Sequence, residues 1–200
     1  MELTSPQALP SALRDSCKHL SLVPDQRLFR QGDRTALIFV VMEGRLRLCR
    51  RTLEGREATL AVVLDKGILG EEALFSERYM GSAIADTATQ LLAYPAKVLL
   101  ENITQHPPLA TELLQLIGKK VQSLQTLLEL RSIRSAALRV QQYLRYQSQA
   151  NQAIHIEGTW KAVATELSLT PQTLSKALAQ LEQTGQIDRK PEGIYLQDGA

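Results

Sequence analysis

Residues 159–197 have the sequence TWKAVATELSLTPQTLSKALAQLEQTGQIDRKPEGIYLQ, and this stretch decides the fold of the last quarter of the chain. Apolar residues at helical spacing predict a first helix over 160–167. Thr170 can cap a second helix, and Pro171 suits its first turn because the N–H that proline lacks would have no partner there. The second helix then runs over 172–181. The stretch therefore predicts two helices joined by a tight turn.

The second helix has an apolar face and a hydrogen-bonding face. Small Ala164 in the first helix allows the two helices to cross closely. The outer face of the second helix carries Gln172, Ser175 and Lys176, whose side chains suit base edges and phosphates. This division is typical of a helix-turn-helix whose second helix contacts DNA. Its inner stripe is formed by Leu174, Ala177, Leu178 and Leu181.

A turn-rich segment over 188–193 follows, between two short predicted strands, the second over 194–196. Arg189 and Lys190 place two cations at the edge of this predicted wing. A wing behind a helix-turn-helix favours DNA binding over the alternative that the two short helices are only core. The residues predicted to contact DNA, or to shape the start of the contacting helix, are Thr170, Pro171, Gln172, Thr173, Ser175, Lys176, Arg189 and Lys190.

The charge distribution also indicates that the C-terminal part of the chain is the part that binds DNA. The net charge of +2 is too small to indicate nucleic acid by itself. Residues 131–190 nevertheless hold an excess of four positive charges, while the front half balances. The cations are Arg131, Arg134, Arg139, Arg145, Lys161, Lys176, Arg189 and Lys190, and the anions are Glu157, Glu166, Glu182 and Asp188.

The first half has a different texture. After a short helix predicted within 1–20, with Leu9, Leu13 and Cys17 or Leu20 on one face, residues 22–94 contain short apolar runs separated by glycine-containing turns. Many short strands at regular turn spacing predict a small antiparallel barrel or jelly roll that continues to Pro107. Alternation predicts that the leucines of 45–51 face the core. It places Cys49 on the wet face with Arg45, Arg47 and Arg51 as an incidental, semi-exposed thiol. The alternative is a redox-sensing thiol, since neighbouring cations lower the pKa of a thiol and raise its reactivity.

A long helix is predicted from Leu109 to about Ile133. One apolar stripe recurs at spacings of three and four residues, which is the heptad pattern of a helix that pairs with a second copy of itself. The alternative is a helix packed in its own core. This dimer stripe consists of Leu114, Ile117, Val121, Leu124 and Leu128. A second row, expected to pack against the β-domain, consists of Leu113, Leu116, Leu127 and Leu130.

The chain is thus predicted to be α+β with three parts. These are an antiparallel β-roll domain over 1–106, a dimerisation helix over 107–133 and a winged helix-turn-helix over 134–200. Between the last two we expect a hinge at 132–135, a helix over 135–148, a polar loop over 147–152 and a short strand at 154–156.

Composition excludes several other classes. The longest apolar run, residues 37–42, is too short to cross a membrane, and no signal-peptide pattern is present, so we expect a cytoplasmic protein without membrane contact. Cys17 and Cys49 form no disulfide framework or metal motif. No nucleophile–base set, carboxylate pair or metal cluster stands out, which argues against an enzyme.

The order β-roll, long helix and C-terminal helix-turn-helix resembles the superfamily of the cyclic-AMP receptor protein and the fumarate–nitrate reductase regulator (CRP/FNR). Two motifs carry the resemblance. Residues 67–75, GILGEEALF, resemble the cassette that holds the cyclic phosphate, and residues 169–176, LTPQTLSK, are similar to the recognition helix of the oxygen-responsive branch. The effector pocket implied by the resemblance contains Gly70, Glu71, Glu72 and Ser82.

The chain departs from that family at the ligand. Cyclic-nucleotide binders follow the cassette with an arginine that pairs with the phosphate, and this chain has Gly81 there, with Arg78 three residues earlier. A buried phosphate without its cation is unfavourable, so cyclic AMP is not expected to bind in the familiar way. Two cysteines cannot supply the thiolates of an FNR-type iron–sulfur cluster. Haem is not supported, because His19, His106 and His155 show no ligand spacing.

The resemblance implies a homodimeric bacterial transcription regulator that binds a palindromic operator in double-stranded DNA and contacts RNA polymerase. An effector or partner at the β-roll would change how the dimer helices pack and so reorient the recognition helices. The alternative is a ligand-binding regulatory module that acts on protein partners, with a purely structural helix-turn-helix.

Overall fold

The computed structural model describes residues 2–55, 57–148, 153–156 and 158–197. The chain divides into two compact units, Met1–Ser123 and Leu124–Ala200, and the boundary falls inside the long helix. Each unit has its own core. No helix among these residues is long and apolar enough to cross a membrane.

The first unit is built on two four-stranded antiparallel sheets, with strand orders β1-β8-β3-β6 and β2-β7-β4-β5. This β-roll, with the long helix and the C-terminal helices, confirms the predicted α+β class. The strands are β1 Lys18–Leu22, β2 Arg27–Phe29, β3 Leu37–Glu43, β4 Leu46–Arg51, β5 Glu57–Val63, β6 Ile68–Leu69, β7 Ser82–Ala85 and β8 Thr89–Pro95.

Strand β3 explains why the sequence has an unbroken apolar run there. Phe39 and Val41 point into the core between the two sheets, whereas Ile38 and Val40 belong to a second core that contains residues of the flanking helices. Since successive strand residues face opposite sides, a strand covered on both faces is apolar at every position.

Two short 3-10 helices, Pro6–Ala8 and Glu71–Leu74, and two α-helices lie in the first unit, and a third α-helix begins there. The α-helices correct the prediction in two places. Helix α1, Ser11–Ser16, is shorter than the helix predicted within 1–20, because β1 starts at Lys18 to pair with β8 and takes Leu20 with it. Helix α2, Ala96–Gln105, was not predicted, and the β region ends at Pro95 instead of Pro107. Helix α3, Pro107–Ser132, matches the predicted long helix.

Helix α3 has a buried side and an exposed side. Leu113 and Leu116 pack in the core that holds Ile38 and Val40, as predicted for the second row. Leu130 belongs to the core of the second unit, which corrects that part of the prediction. Leucines of the second row therefore pack in two different hydrophobic cores, one in each unit.

The second unit is a small helical domain with a two-stranded antiparallel wing. Its elements are α4 Ala136–Gln147, α5 Trp160–Glu166, α6 Pro171–Gln183, β9 Ile187–Lys190 and β10 Gly193–Leu196. Ser135 caps α4 by accepting a hydrogen bond from the Leu138 amide at 3.3 Å. Of the strand predicted at 154–156, Ile154 forms a single bridge to Ile194. Positions 149–152 of the predicted polar loop lie outside the described residues.

Candidate nucleic-acid interface

The start of α6 is fixed by its own side chains. The Thr170 hydroxyl accepts a hydrogen bond from the Thr173 amide at 3.1 Å, and the two threonine hydroxyls lie 2.8 Å apart. Pro171 occupies the first turn. These contacts satisfy helix-end donors that would otherwise need water. Thr170, Pro171 and Thr173 therefore define where the helix begins.

The remaining predicted residues of α6 form one exposed surface. Gln172, Ser175 and Lys176 are exposed, whereas the predicted inner stripe is buried in the core of the second unit. Ala164 of α5 is fully buried in the same core, so no large side chain separates the two helices. Ser168, in the left-handed region with φ 54°, turns the chain between them. We name the exposed surface of Gln172, Ser175 and Lys176 the recognition face.

The wing carries its predicted cations in ion pairs. Arg189 donates two hydrogen bonds to the Glu182 carboxylate, at 3.0 and 2.6 Å. The Lys190 ammonium lies 3.1 Å from the Asp188 carboxylate and 5.0 Å from the centre of the Tyr195 ring. The hydrogen bond to its carboxylate raises the pKa of each cation. Exposed pairs of this kind are weak and exchange readily with other anions.

Two arginines counted in the basic footprint have a structural role. Arg131 donates to the carbonyl oxygen of Glu166, at 3.0 and 2.8 Å, and burial lowers its pKa. Arg139 donates to the carbonyl oxygens of Ile133, at 3.0 and 2.6 Å, and of Leu167, at 2.8 Å. The sequence does not predict these contacts, because every residue has a backbone carbonyl and residue type does not indicate which one an arginine binds. Arg131 therefore joins the last turn of α3 to the end of α5, and Arg139 of α4 joins the residue after α3 to the residue after α5.

The footprint of exposed charge is therefore smaller than the cation count predicts. Arg134, Arg145, Lys161 and Lys176 are exposed and have no carboxylate partner among the described residues. Glu157, one of the four counted anions, lies outside those residues. Lys176 alone of the four exposed cations belongs to the recognition face.

The cassette residues contact other parts of the first unit. Gly70 adopts a left-handed φ of 73°, and a side chain there would meet the Leu37 carbonyl oxygen at 2.8 Å. Glu71 forms an ion pair with Lys120 of α3, and its second carboxylate oxygen is buried without a hydrogen-bond partner among the described residues. Glu72 is buried. The Ser82 hydroxyl accepts from the Gln31 amide at 2.9 Å, so the structure gives Glu71 and Ser82 separate partners.

Gly81 stands where a phosphate-binding arginine is expected. A Cβ atom there would lie 2.9 Å from the Cys49 carbonyl oxygen and 3.2 Å from a methyl group of Leu48. No side chain fits without backbone movement. Arg78 donates instead to the Gly32 carbonyl oxygen at 2.7 Å. The cation that contacts the cassette is therefore Lys120 of α3, and its ammonium group already forms an ion pair with the Glu71 carboxylate.

Strand β4 corrects the predicted wet face. Cys49 is 1% exposed, and burial together with the neighbouring Glu57 raises its pKa to about 11. Arg45 is also buried, because Asp86 pairs with it at 3.2 Å. Both predictions of exposure are wrong, because Arg45 pairs with Asp86 and the Cys49 sulfur lies 3.5 Å from the Ser82 carbonyl oxygen of β7. Cys49 is therefore a protonated thiol of low nucleophilicity at neutral pH. Arg51, on the same predicted face, is exposed as expected.

The three histidines occupy separate places in the fold. His19 and His155 are exposed, and His106 is half-buried at the junction of α2 and α3. In the described part of the chain, no three His, Cys, Asp or Glu side chains form a group that could hold a metal ion.

The dimer stripe is mostly exposed within one chain. Leu114 is 69% exposed and Leu128 is 72% exposed, and Val121 and Leu124 also contact solvent. Ile117 differs, because it is half-buried and packs against the first unit's core. The exposed members form a row of large apolar side chains along α3. Such a row is unusual on a monomer surface.

Comparison with known proteins shows a domain match and several relatives of the chain. Residues 19–106 match the cyclic nucleotide-binding domain. The chain is 25% identical over 178 residues to the transcriptional activator protein anr of Pseudomonas aeruginosa, covering 86% of this chain and 73% of that protein. It is 27% identical over 174 residues to the cyclic AMP receptor protein of Thermus thermophilus, covering 86% and 81%.

Solved structures give the same fold. FixK2 from Bradyrhizobium japonicum aligns with a TM-score of 0.76 at 19% identity, over 91% of this chain and 93% of that one. A CooA mutant from Carboxydothermus hydrogenoformans aligns with a TM-score of 0.73 at 20% identity, over 92% and 85%. Relatives of the chain are named as transcriptional activator proteins, and the prediction that the chain is not an enzyme agrees with this. The chain thus has a match to the cyclic nucleotide-binding domain and is similar over most of its length to transcription regulators of the CRP/FNR family.

Proposed function

We propose that this chain is a homodimeric, sequence-specific DNA-binding regulator that acts in the bacterial cytoplasm. The observation that carries the proposal is the recognition face: Gln172, Ser175 and Lys176 are exposed on a helix whose opposite side is buried. Exposed amide, hydroxyl and ammonium groups at the start of such a helix match the hydrogen-bonding edges of the major groove. The relatives named as transcriptional activator and cyclic AMP receptor protein support it.

Each part of the second unit has a distinct task in this proposal. Gln172 and Lys176 contact base edges, Ser175 contacts the backbone, and the Thr170–Thr173 cap positions the helix. Arg189 and Lys190 exchange their carboxylate partners for phosphates, and the free energy of that exchange depends on salt. Two copies joined along α3 then bind a palindromic site with half-sites about one helical turn apart. RNA polymerase is the further partner that we propose for regulation.

The direct test is selection of bound DNA from a random library, followed by gel shift with the selected site. We expect a palindrome. A chain that binds no DNA sequence in preference to another would instead support the alternative, a ligand-binding module acting through protein partners with a structural helix-turn-helix.

Lys190→Ala is expected to weaken binding to all DNA sequences about equally. A phosphate contact carries no base information, and its loss should reduce the slope of log affinity against log salt by about 1. Titration at several salt concentrations measures both quantities. Lys97→Ala, an exposed lysine of the first unit, is the matched control and should leave the slope unchanged. A sequence-dependent loss in Lys190→Ala would contradict the phosphate assignment.

We also propose that cyclic AMP is not the effector. Its phosphate would have no arginine at Gly81, and Glu71 is already paired with Lys120. Calorimetry should show no binding tighter than about 1 mM. Gly81→Arg should not create a site, because its Cβ would meet the Cys49 carbonyl oxygen. A micromolar dissociation constant for the unaltered chain would overturn this proposal.

A further inference from the structure

A cleft of about 640 Å³ lies on the sheet formed by β2, β7, β4 and β5. Of the residues predicted for the effector pocket, its lining includes Ser82 but not Gly70, Glu71 or Glu72. Its lining includes Cys49 and Ser82, which are cross-strand partners on β4 and β7. The adjacent pair Leu48 and Ala83 packs with the core between the sheets. Since neighbouring residues of a strand face opposite sides, the cleft lies on the outer face of this sheet.

The cleft concentrates positive charge. Arg27, Arg30 and Arg51 line it, and their guanidinium groups have no carboxylate partner among the described residues. Among the described lining residues Glu57 supplies the single carboxylate, and its oxygen lies 3.8 Å from Nε of Arg47. Three cations and one anion among these residues leave an excess of two positive charges. Guanidinium groups bind phosphate oxygens through paired hydrogen bonds, so an anion would offset their mutual repulsion.

The backbone that presents these arginines is held in place. The Arg30 amide donates to the Asp33 carboxylate at 2.8 Å. The Gln31 amide donates to the Ser82 hydroxyl at 2.9 Å, and the Gln31 side chain accepts from the Arg51 amide at 3.3 Å. These bonds join β2, β7 and the end of β4 around the cleft. A ligand would therefore meet a largely ordered backbone and would have to order only the arginine side chains.

The size and lining of the cleft indicate a ligand larger than a single inorganic anion. Its volume lies within the range of about 300–1,000 Å³ that is typical of small-molecule sites and exceeds what a phosphate ion fills. Glu57 would repel a second anionic group but accepts hydrogen bonds from hydroxyl groups, and Thr52 adds a hydroxyl. We propose that this cleft binds a small phosphorylated, hydroxyl-bearing molecule, with the phosphate at the arginines and the hydroxyls toward Glu57 and Thr52.

Calorimetry on the full chain tests the proposal with three probes: ribose 5-phosphate, inorganic phosphate and ribose. We expect saturable binding of ribose 5-phosphate, weaker binding of inorganic phosphate and none of ribose. Arg30→Gln and Arg51→Gln should each weaken ribose 5-phosphate about tenfold or more. Arg14→Gln is the matched control, since Arg14 is an exposed arginine on α1 outside the cleft, and it should have no effect.

Three results would overturn the proposal. These are no saturable binding of ribose 5-phosphate, equal losses in the Arg14 control, or inorganic phosphate binding as tightly as the sugar phosphate. Thermal melting of each variant verifies that it remains folded, which we expect because all three substituted arginines are exposed. No DNA is present in this experiment, so its outcome is independent of the proposed DNA binding.

Discussion

Leu128→Glu is expected to convert a dimer of this chain into folded monomers. Leu128 is 72% exposed in the single chain, so the carboxylate would be solvated in the monomer and should not disturb its core. In a dimer joined along α3, the two copies of this position face each other within the apolar stripe. Two desolvated like charges there would weaken association by about 3 kcal/mol or more, on the order of a hundredfold in the dimer constant.

Sedimentation equilibrium, with circular dichroism to verify folding, measures this result. Leu124→Glu should act in the same direction. The matched control is Leu138→Glu, a leucine that is 51% exposed on α4 and lies outside the dimer stripe; it should remain a dimer. A Leu128→Glu chain that stays a folded dimer would remove the stripe from the proposed interface, as would an unaltered chain that is monomeric.

The helices of the second unit were predictable because their signals are local. Thr170 and Pro171 mark a helix start through groups within three residues of each other, and α6 begins where they place it. The spacing of its apolar residues was sufficient to identify its buried face. The long helix α3 was predictable for the same reason, since its two rows of apolar residues follow the helical period over many turns.

The incorrect predictions concern residues whose burial or secondary structure depends on residues far away in the sequence. Alternation placed Arg45 on a wet face, but Asp86, forty-one residues later, forms a buried ion pair with it. Cys49 is buried by neighbouring elements that its own strand sequence does not specify. Helix α2 was not predicted because the sequence places the end of the β region at Pro107, whereas in the structure that region ends at Pro95.

The sequence predicts where the candidate DNA-binding surface lies, but only partly which of its cations are free of carboxylate or carbonyl partners. The recognition face lies on α6 as the spacing of Gln172, Ser175 and Lys176 indicates. The wing cations, by contrast, have carboxylate partners, and Arg131 and Arg139 bind backbone carbonyls. A count of cations measures an electrostatic footprint only when it is known which of them are already paired. That information resides in the tertiary contacts and not in the composition.

Gln172→Ala is expected to abolish base preference at one position of each half-site. The Gln172 side chain is exposed at the second residue of α6 and makes no hydrogen bond within the described part of the chain. Its amide both donates and accepts, which matches N7 and N6 of adenine in the major groove. A glutamate at this place could only accept hydrogen bonds. We therefore expect an adenine at the corresponding position of the half-site.

The substitution should weaken binding to the preferred site by about 1–3 kcal/mol and leave the other three bases nearly unaffected. Gel shift against four sites that differ only at that base pair measures the preference. Gln183→Ala is the matched control: it removes the same side chain from the same helix, about 16 Å further along the axis, and should keep the adenine preference. If Gln172→Ala weakens all four sites to the same degree, Gln172 contacts the DNA backbone, and the preference must reside in Lys176 or in the shape of the DNA.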